Sequence, residues 1–131
     1  MKRPEQQLHR AVVDLLQVYQ ARGLLAFAHV PNGGYRTPTE AGIFTSLGVV
    51  PGVADLLVWL PGGRSVQFEL KAPLAKMRLS PAQIDWIRRM TDMGVAVHVC
   101  RSLDEIEAVL RDNGVPPVGK LSPEPDARKS A

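Results

Sequence analysis

Two apolar runs, Asp55 to Leu60 and Ser65 to Leu70, are joined by just Pro61-Gly62-Gly63-Arg64. A connection this short turns the chain back on itself, so the runs are expected to pair as an antiparallel hairpin. The residues that follow constrain the chain further. Ser80-Pro81-Ala82-Gln83 has the capping-box pattern of a helix start, Met93-Gly94 closes that helix, and the β-branched run Val95 to Cys100 comes next. Strand, helix and strand in succession imply a right-handed crossover between parallel neighbours.

Upstream, Leu8, Val12, Leu15, Leu16 and Tyr19 recur at helical spacing, which predicts an amphipathic helix from Pro4 to about Ala21. Glu5 precedes Val12 by seven residues and Leu16 by eleven, so it falls on the middle of the same apolar stripe and faces inward. Leu24 to Val30 reads as a strand, ended by a turn at Pro31-Asn32-Gly33-Gly34. Thr37-Pro38 caps a short helix reaching about Leu47, and Gly48 to Gly52 breaks the chain again. Ser102 with Glu105 forms a second capping-box pattern for a helix ending near Asp112, stopped by Asn113-Gly114. Residues 1–113 therefore form one domain, and the proline-rich residues 114–131 are expected to be a flexible tail.

At 131 residues and 45% hydrophobic content the chain can bury a core without disulfides or structural metal. Cys100 has no partner for an internal disulfide and sits in an apolar run, as a buried small hydrophobe would. A structural zinc site has no support, since a second cysteine and an HxxxH spacing are both missing. The sequence has no apolar run near the roughly 20 residues of a membrane span and no signal-peptide core at MKRPEQQLHR, so a soluble, cytoplasmic protein is expected. The net charge is +3, and eleven of the sixteen basic residues are arginine, a balance that permits a nucleic-acid partner without demanding one.

Glu69-Leu70-Lys71 is the first cluster with chemistry in it. Strand geometry puts residues two apart on one face, here a carboxylate and an ammonium, while Phe68 and Leu70 point into the core. Asp55 begins the preceding hairpin strand, so pairing brings it near Glu69. Two converging carboxylates suit Mg²⁺ or Mn²⁺, which prefer oxygen ligands. A cation there would polarise a phosphoryl oxygen and acidify water, while Lys71 orients that water or offsets transition-state charge. Glu5, delivered from the first helix, would complete the metal's shell or position a second ion.

These residues, with Pro31-Asn32-Gly33-Gly34 and Arg36, the stretch Gly48-Val49-Val50-Pro51-Gly52-Val53-Ala54-Asp55-Leu56-Leu57, Phe68-Glu69-Leu70-Lys71-Ala72-Pro73, and Leu79-Ser80-Pro81-Ala82-Gln83 with Trp86, resemble the PD-(D/E)XK nuclease superfamily. Within it they resemble the VRR-NUC family, which also supplies the nuclease domain of the Fanconi-anaemia-associated nuclease. The resemblance spans about Pro4 to Ala108. One departure is that the superfamily's proline-aspartate step is Ala54-Asp55 here, with Pro51 displaced upstream. The resemblance implies an α/β, restriction-endonuclease-like fold, a mixed sheet flanked by helices. It implies a metal site of Asp55, Glu69, Leu70 and Glu5, catalysis by Asp55, Glu69, Lys71 and Glu5, and nucleic-acid contacts from Asn32, Arg36 and Gln83. For small phage or bacterial members it further implies cleavage of branched DNA such as Holliday junctions.

Each residue also has a plainer reading. Glu5 can be a first-turn acid complementing the helix dipole, Gln83 a capping residue, and Asn32 a turn former, whereas Arg36 is better suited to phosphate. His9, four residues after Glu5, reads as a solvated helix residue more readily than as one approaching the site, His29 and His98 as core residues, and Arg78, Arg88 and Arg89 as a solvated face able to meet a DNA backbone. A restriction-type or general repair nuclease would share every catalytic residue, and a non-catalytic DNA-binding or assembly protein would be expected to have lost one. Resolving a four-way junction takes two incisions, so a C2 homodimer is expected. Ile43, Phe44 and Leu47 of the short helix are available either to cover their own core or to meet a partner.

Overall fold

The computed structural model describes residues 3–31, 36–73, 76 and 78–117. Among them four helices flank a four-stranded sheet: α1 (Arg3–Ala21), β1 (Ala26–His29), α2 (Pro38–Ser46), β2 (Leu56–Trp59), β3 (Ser65–Leu70), α3 (Pro81–Asp92), β4 (Ala96–Cys100) and α4 (Leu103–Asp112). The strands lie in the order β1-β2-β3-β4. The β1–β2 and β2–β3 pairs are antiparallel and β3–β4 is parallel, which makes the sheet mixed, as expected for a hairpin followed by a crossover through α3. Between β2 and β3 the chain makes a single 3-10 turn, Pro61–Gly63.

The apolar stripe of α1 (Leu8, Val12, Leu16, Tyr19) packs with Ile106 and Leu110 of α4 against Leu56, Val58, Val66, Phe68 and Leu70 of the sheet. Removing these side chains from water is the main force holding the layers together. Cys100 is buried there as expected, and the apolar surroundings push its thiol up to about 12, which keeps it protonated and inert. The core extends past the expected end of the domain. Val115 is buried among these residues and donates its N–H to Leu110 O at 2.8 Å. Residues 118–131 lie outside the described residues.

The opposite face of β3 meets α3 through polar contacts: Trp86 Nε1 donates to Gln67 Oε1 at 2.8 Å, and Gln67 Nε2 to the Met90 sulfur at 3.3 Å. The capping box of α3 forms as the sequence indicates, with Ser80 Oγ accepting from Gln83 N and Gln83 Oε1 accepting from Ser80 N. The second box forms by half. Ser102 Oγ accepts from Glu105 N, but the Glu105 carboxylate accepts from Arg101 N, one residue short of the cap.

Two expectations need correction. His29 is not a core residue: it ends β1, at the edge of the sheet, and is exposed. Nor is His9 a solvated helix residue: it is half-buried. Of the two roles open to Ile43, Phe44 and Leu47, covering their own core is not met, because none of the residues of α2 is buried and all three side chains face solvent. His98 is half-buried beside Phe68. Arg78, Arg88 and Arg89 are exposed, with Arg89 paired to Asp85 at 3.1 Å.

Candidate active site

The register Leu56↔Phe68 carries Asp55 to the place opposite Glu69, at the end of the hairpin. Asp55 Oδ2 accepts the Leu70 N–H at 2.7 Å, which fixes the carboxylate against β3. The ladder runs one residue past β3, since Lys71 N donates to Cys100 O at 3.0 Å, and Lys71 therefore keeps the face of Glu69. The ammonium lies 4.0 Å from Glu69 Oε2. Gln83 joins the two: its Nε2 donates to Glu69 Oε2 at 3.0 Å, and its Oε1 accepts from Lys71 Nζ at 3.3 Å. The sequence leaves Gln83 able to cap a helix, to meet the site, or both. The side chain does both.

Glu69 is 5% exposed. Its carboxyl is raised to about 8, first by burial, then by the charge of Asp55 and a hydrogen bond with it; Lys71 opposes the shift and Glu5 adds a little to it. The first turn of α1 thus brings Glu5, half-buried, within electrostatic reach of Glu69, in line with its place on the apolar stripe. Lys71 offsets only part of this shift.

Among the described residues no three Asp, Glu, His or Cys side chains form a ready cage for a metal. The donor set nevertheless fits Mg²⁺ or Mn²⁺. Such ions are commonly held by one or two carboxylates and keep several waters, and Asp55 with Glu69 supplies two carboxylates whose crowding, which raises the Glu69 carboxyl, a cation would relieve. Leu70 can add its main-chain carbonyl alone, since its side chain is apolar and buried.

The loop before Asp55 is seated closely against α3. Gly52 has φ +84°, and a Cβ there would stand 2.3 Å from the Ala82 carbonyl carbon and 2.7 Å from Gln83 N. Ala54, standing where the superfamily has proline, is buried. Arg36 lies nearby with its guanidinium 4.3 Å from the Phe44 ring centroid, a cation–π contact beside a cavity of about 200 Å³ lined in part by Val49, Pro51 and Gly52. Asn32 lies outside the described residues.

Sequence reasoning did not join the two histidines nearest this cluster. His9 of α1 and His29 of β1 meet edge to face, ring centroids 4.4 Å apart, and the His29 imidazole bonds to Asp55 O. The four-residue step from Glu5 to His9 puts both on one helix face and so leaves His9 able to approach the site, but it carries no sign of His29. The pairing of β1 with β2, which brings His29 to Asp55, had no signature of its own.

The VRR-NUC domain family matches residues 3–104. A solved structure described as a VRR_NUC domain protein superposes with a TM-score of 0.61 at 19% identity, covering 86% of this chain and 88% of its own, a likeness that supports the fold. Among curated proteins none matches. With the family match covering most of its length, through the hairpin, the Glu69–Lys71 strand and the Gln83 helix, the chain belongs to the VRR-NUC domain family.

Proposed function

We propose that this nuclease-family chain is a divalent-metal-dependent endodeoxyribonuclease that hydrolyses phosphodiester bonds in branched DNA, Holliday junctions included, as a homodimer. The observation that carries the reading is the Asp55–Glu69–Lys71–Gln83 cluster, where two carboxylates and an ammonium meet on one sheet end and burial beside Asp55 raises the Glu69 carboxyl. A relic that only bound DNA would be expected to have lost one of these residues, whereas Asp55, Glu69 and Lys71 are all present.

Asp55 and Glu69 would hold Mg²⁺ or Mn²⁺ with the Leu70 carbonyl, and Glu5 would contribute from α1. When bound, the cation polarises a phosphoryl oxygen and lowers the pKa of water. Lys71, anchored by Gln83, presents its ammonium to the charge that builds on the phosphoryl oxygens as water attacks phosphorus and the bond to the leaving oxygen breaks. Gln83 holds the Glu69 carboxylate to the start of α3, fixing its orientation beside Asp55. Arg36 and Asn32 would meet the DNA backbone, Arg36 stacked on Phe44 with its polar edge available. The exposed Ile43, Phe44 and Leu47 are the surface we assign to the partner protomer, placing two sites about one axis.

Four-way junction, flap and linear duplex, each incubated with the protein in Mg²⁺, Mn²⁺ or chelator, test the reading. The expected result is paired incision of the junction with either metal and none in chelator. Full activity in chelator would overturn the mechanism, and equal cutting of linear duplex would overturn the substrate. Sedimentation at micromolar concentration is expected to give two chains per junction; one chain per bound junction would remove the dimer.

A further inference from the structure

Asp55 is held from two sides. Its carboxylate accepts the Leu70 N–H at 2.7 Å, and its main-chain carbonyl accepts the Val30 N–H at 2.9 Å. The same carbonyl lies 2.8 Å from His29 Nδ1. A carbonyl oxygen can only accept, so Nδ1 carries the proton and the tautomer of His29 is fixed by Asp55. His29 is itself held by the edge-to-face contact with His9, at 81° between planes. His9 stands one helical turn after Glu5, so the contact ties the turn of α1 that bears Glu5 to the strand end that bears Asp55. Burial and then His29 lower the pKa of His9, while Asp55 and Glu5 pull it upward, as expected of a ring close to both carboxylates.

Packing does not account for this arrangement. His29 is exposed at the end of an edge strand, where a side chain buries little, and its hydrogen bond is spent on the residue that begins the acidic cluster. Groups that orient a metal ligand from outside the coordination shell commonly change affinity or rate by about 10- to 100-fold when removed. We propose that the His9–His29 pair is a positioning device for the cation site, setting Asp55 and the Glu5 turn of α1 at a fixed separation. The inference rests on the cation-dependent reading above.

The test uses the full chain and three variants: His29→Leu, which keeps bulk but loses the donor; His29→Asn, whose side-chain N–H can replace Nδ1–H; and His9→Leu. Mn²⁺ binding is followed by calorimetry, and exchange of the Leu70 amide, the partner of the Asp55 carboxylate, by NMR in chelator. We expect His29→Leu to weaken Mn²⁺ binding by about tenfold or more and to speed Leu70 exchange. His29→Asn should recover most of both, and His9→Leu should fall between. Parent-like Mn²⁺ affinity and Leu70 exchange in His29→Leu would overturn the proposal. So would failure of His29→Asn to recover what His29→Leu loses, since ring bulk would then be what matters. If the parent takes up no Mn²⁺, the metal-dependent function falls, and Leu70 exchange alone decides whether the pair positions Asp55.

Discussion

Glu69 faces the Asp55 carboxyl from a site 5% exposed, with the Lys71 ammonium 4.0 Å away. Its carboxyl is raised from an ordinary value near 4.5 to about 8, so between those values the folded chain holds a proton that the unfolded chain has released. Stability in chelator should therefore be greatest below that window and fall as pH rises through it. Thermal melts from pH 5 to 9 should show this decline, and Mn²⁺ should lessen it by supplying the missing positive charge. Glu69→Gln should abolish cleavage yet melt higher than the parent at pH 9 in chelator, because a neutral amide has no charge to desolvate. Lys71→Ala should lower kcat by a factor consistent with about 2 to 4 kcal/mol of lost charge stabilisation while still binding Mn²⁺. Loss of Mn²⁺ binding in that variant would make the lysine structural.

Among the elements, the hairpin and the α3 capping box were legible because each is written in neighbouring residues: Pro61 to Arg64 for the turn, Ser80 and Gln83 for the cap. The position of His29 was not legible, since the apolar run Ala26–His29 reads the same whether its strand is central or at an edge, and edge position depends on the order of the whole sheet. The Ser102–Glu105 pattern failed by half for a similar reason: the spacing is right, but Arg101 N takes the carboxylate instead. Seating of the Asp55 loop on α3 can be tested with two glycines of alike backbone. Gly48 and Gly52 have φ of +92° and +84°, so alanine at either carries the left-handed penalty of roughly 1–2 kcal/mol, but only at Gly52 does the new methyl meet backbone. Gly52→Ala should reduce cleavage well beyond Gly48→Ala, as it displaces the helix start that holds Gln83. Equal activities would show that the loop absorbs the clash.

On the scale of the molecule, the mixed sheet and its helix layers were readable from element order, whereas the domain's end was not, because Val115 follows the stop signal Asn113-Gly114 and yet is buried. Removing residues 116–131 should leave melting temperature and cleavage near the parent's. Removing Val115 as well should cost about 1.5–3 kcal/mol, the worth of one buried aliphatic side chain, visible as a lower melting temperature. Gln83 ties this global stability to the chemistry. A capping box accepts glutamate at its third helical position as readily as glutamine, so lineages adapting to heat would ordinarily be free to exchange them. Here the exchange would set a third carboxylate against Glu69 and Asp55, closing that route and making the start of α3 a place where thermal adaptation and activity cannot be tuned separately.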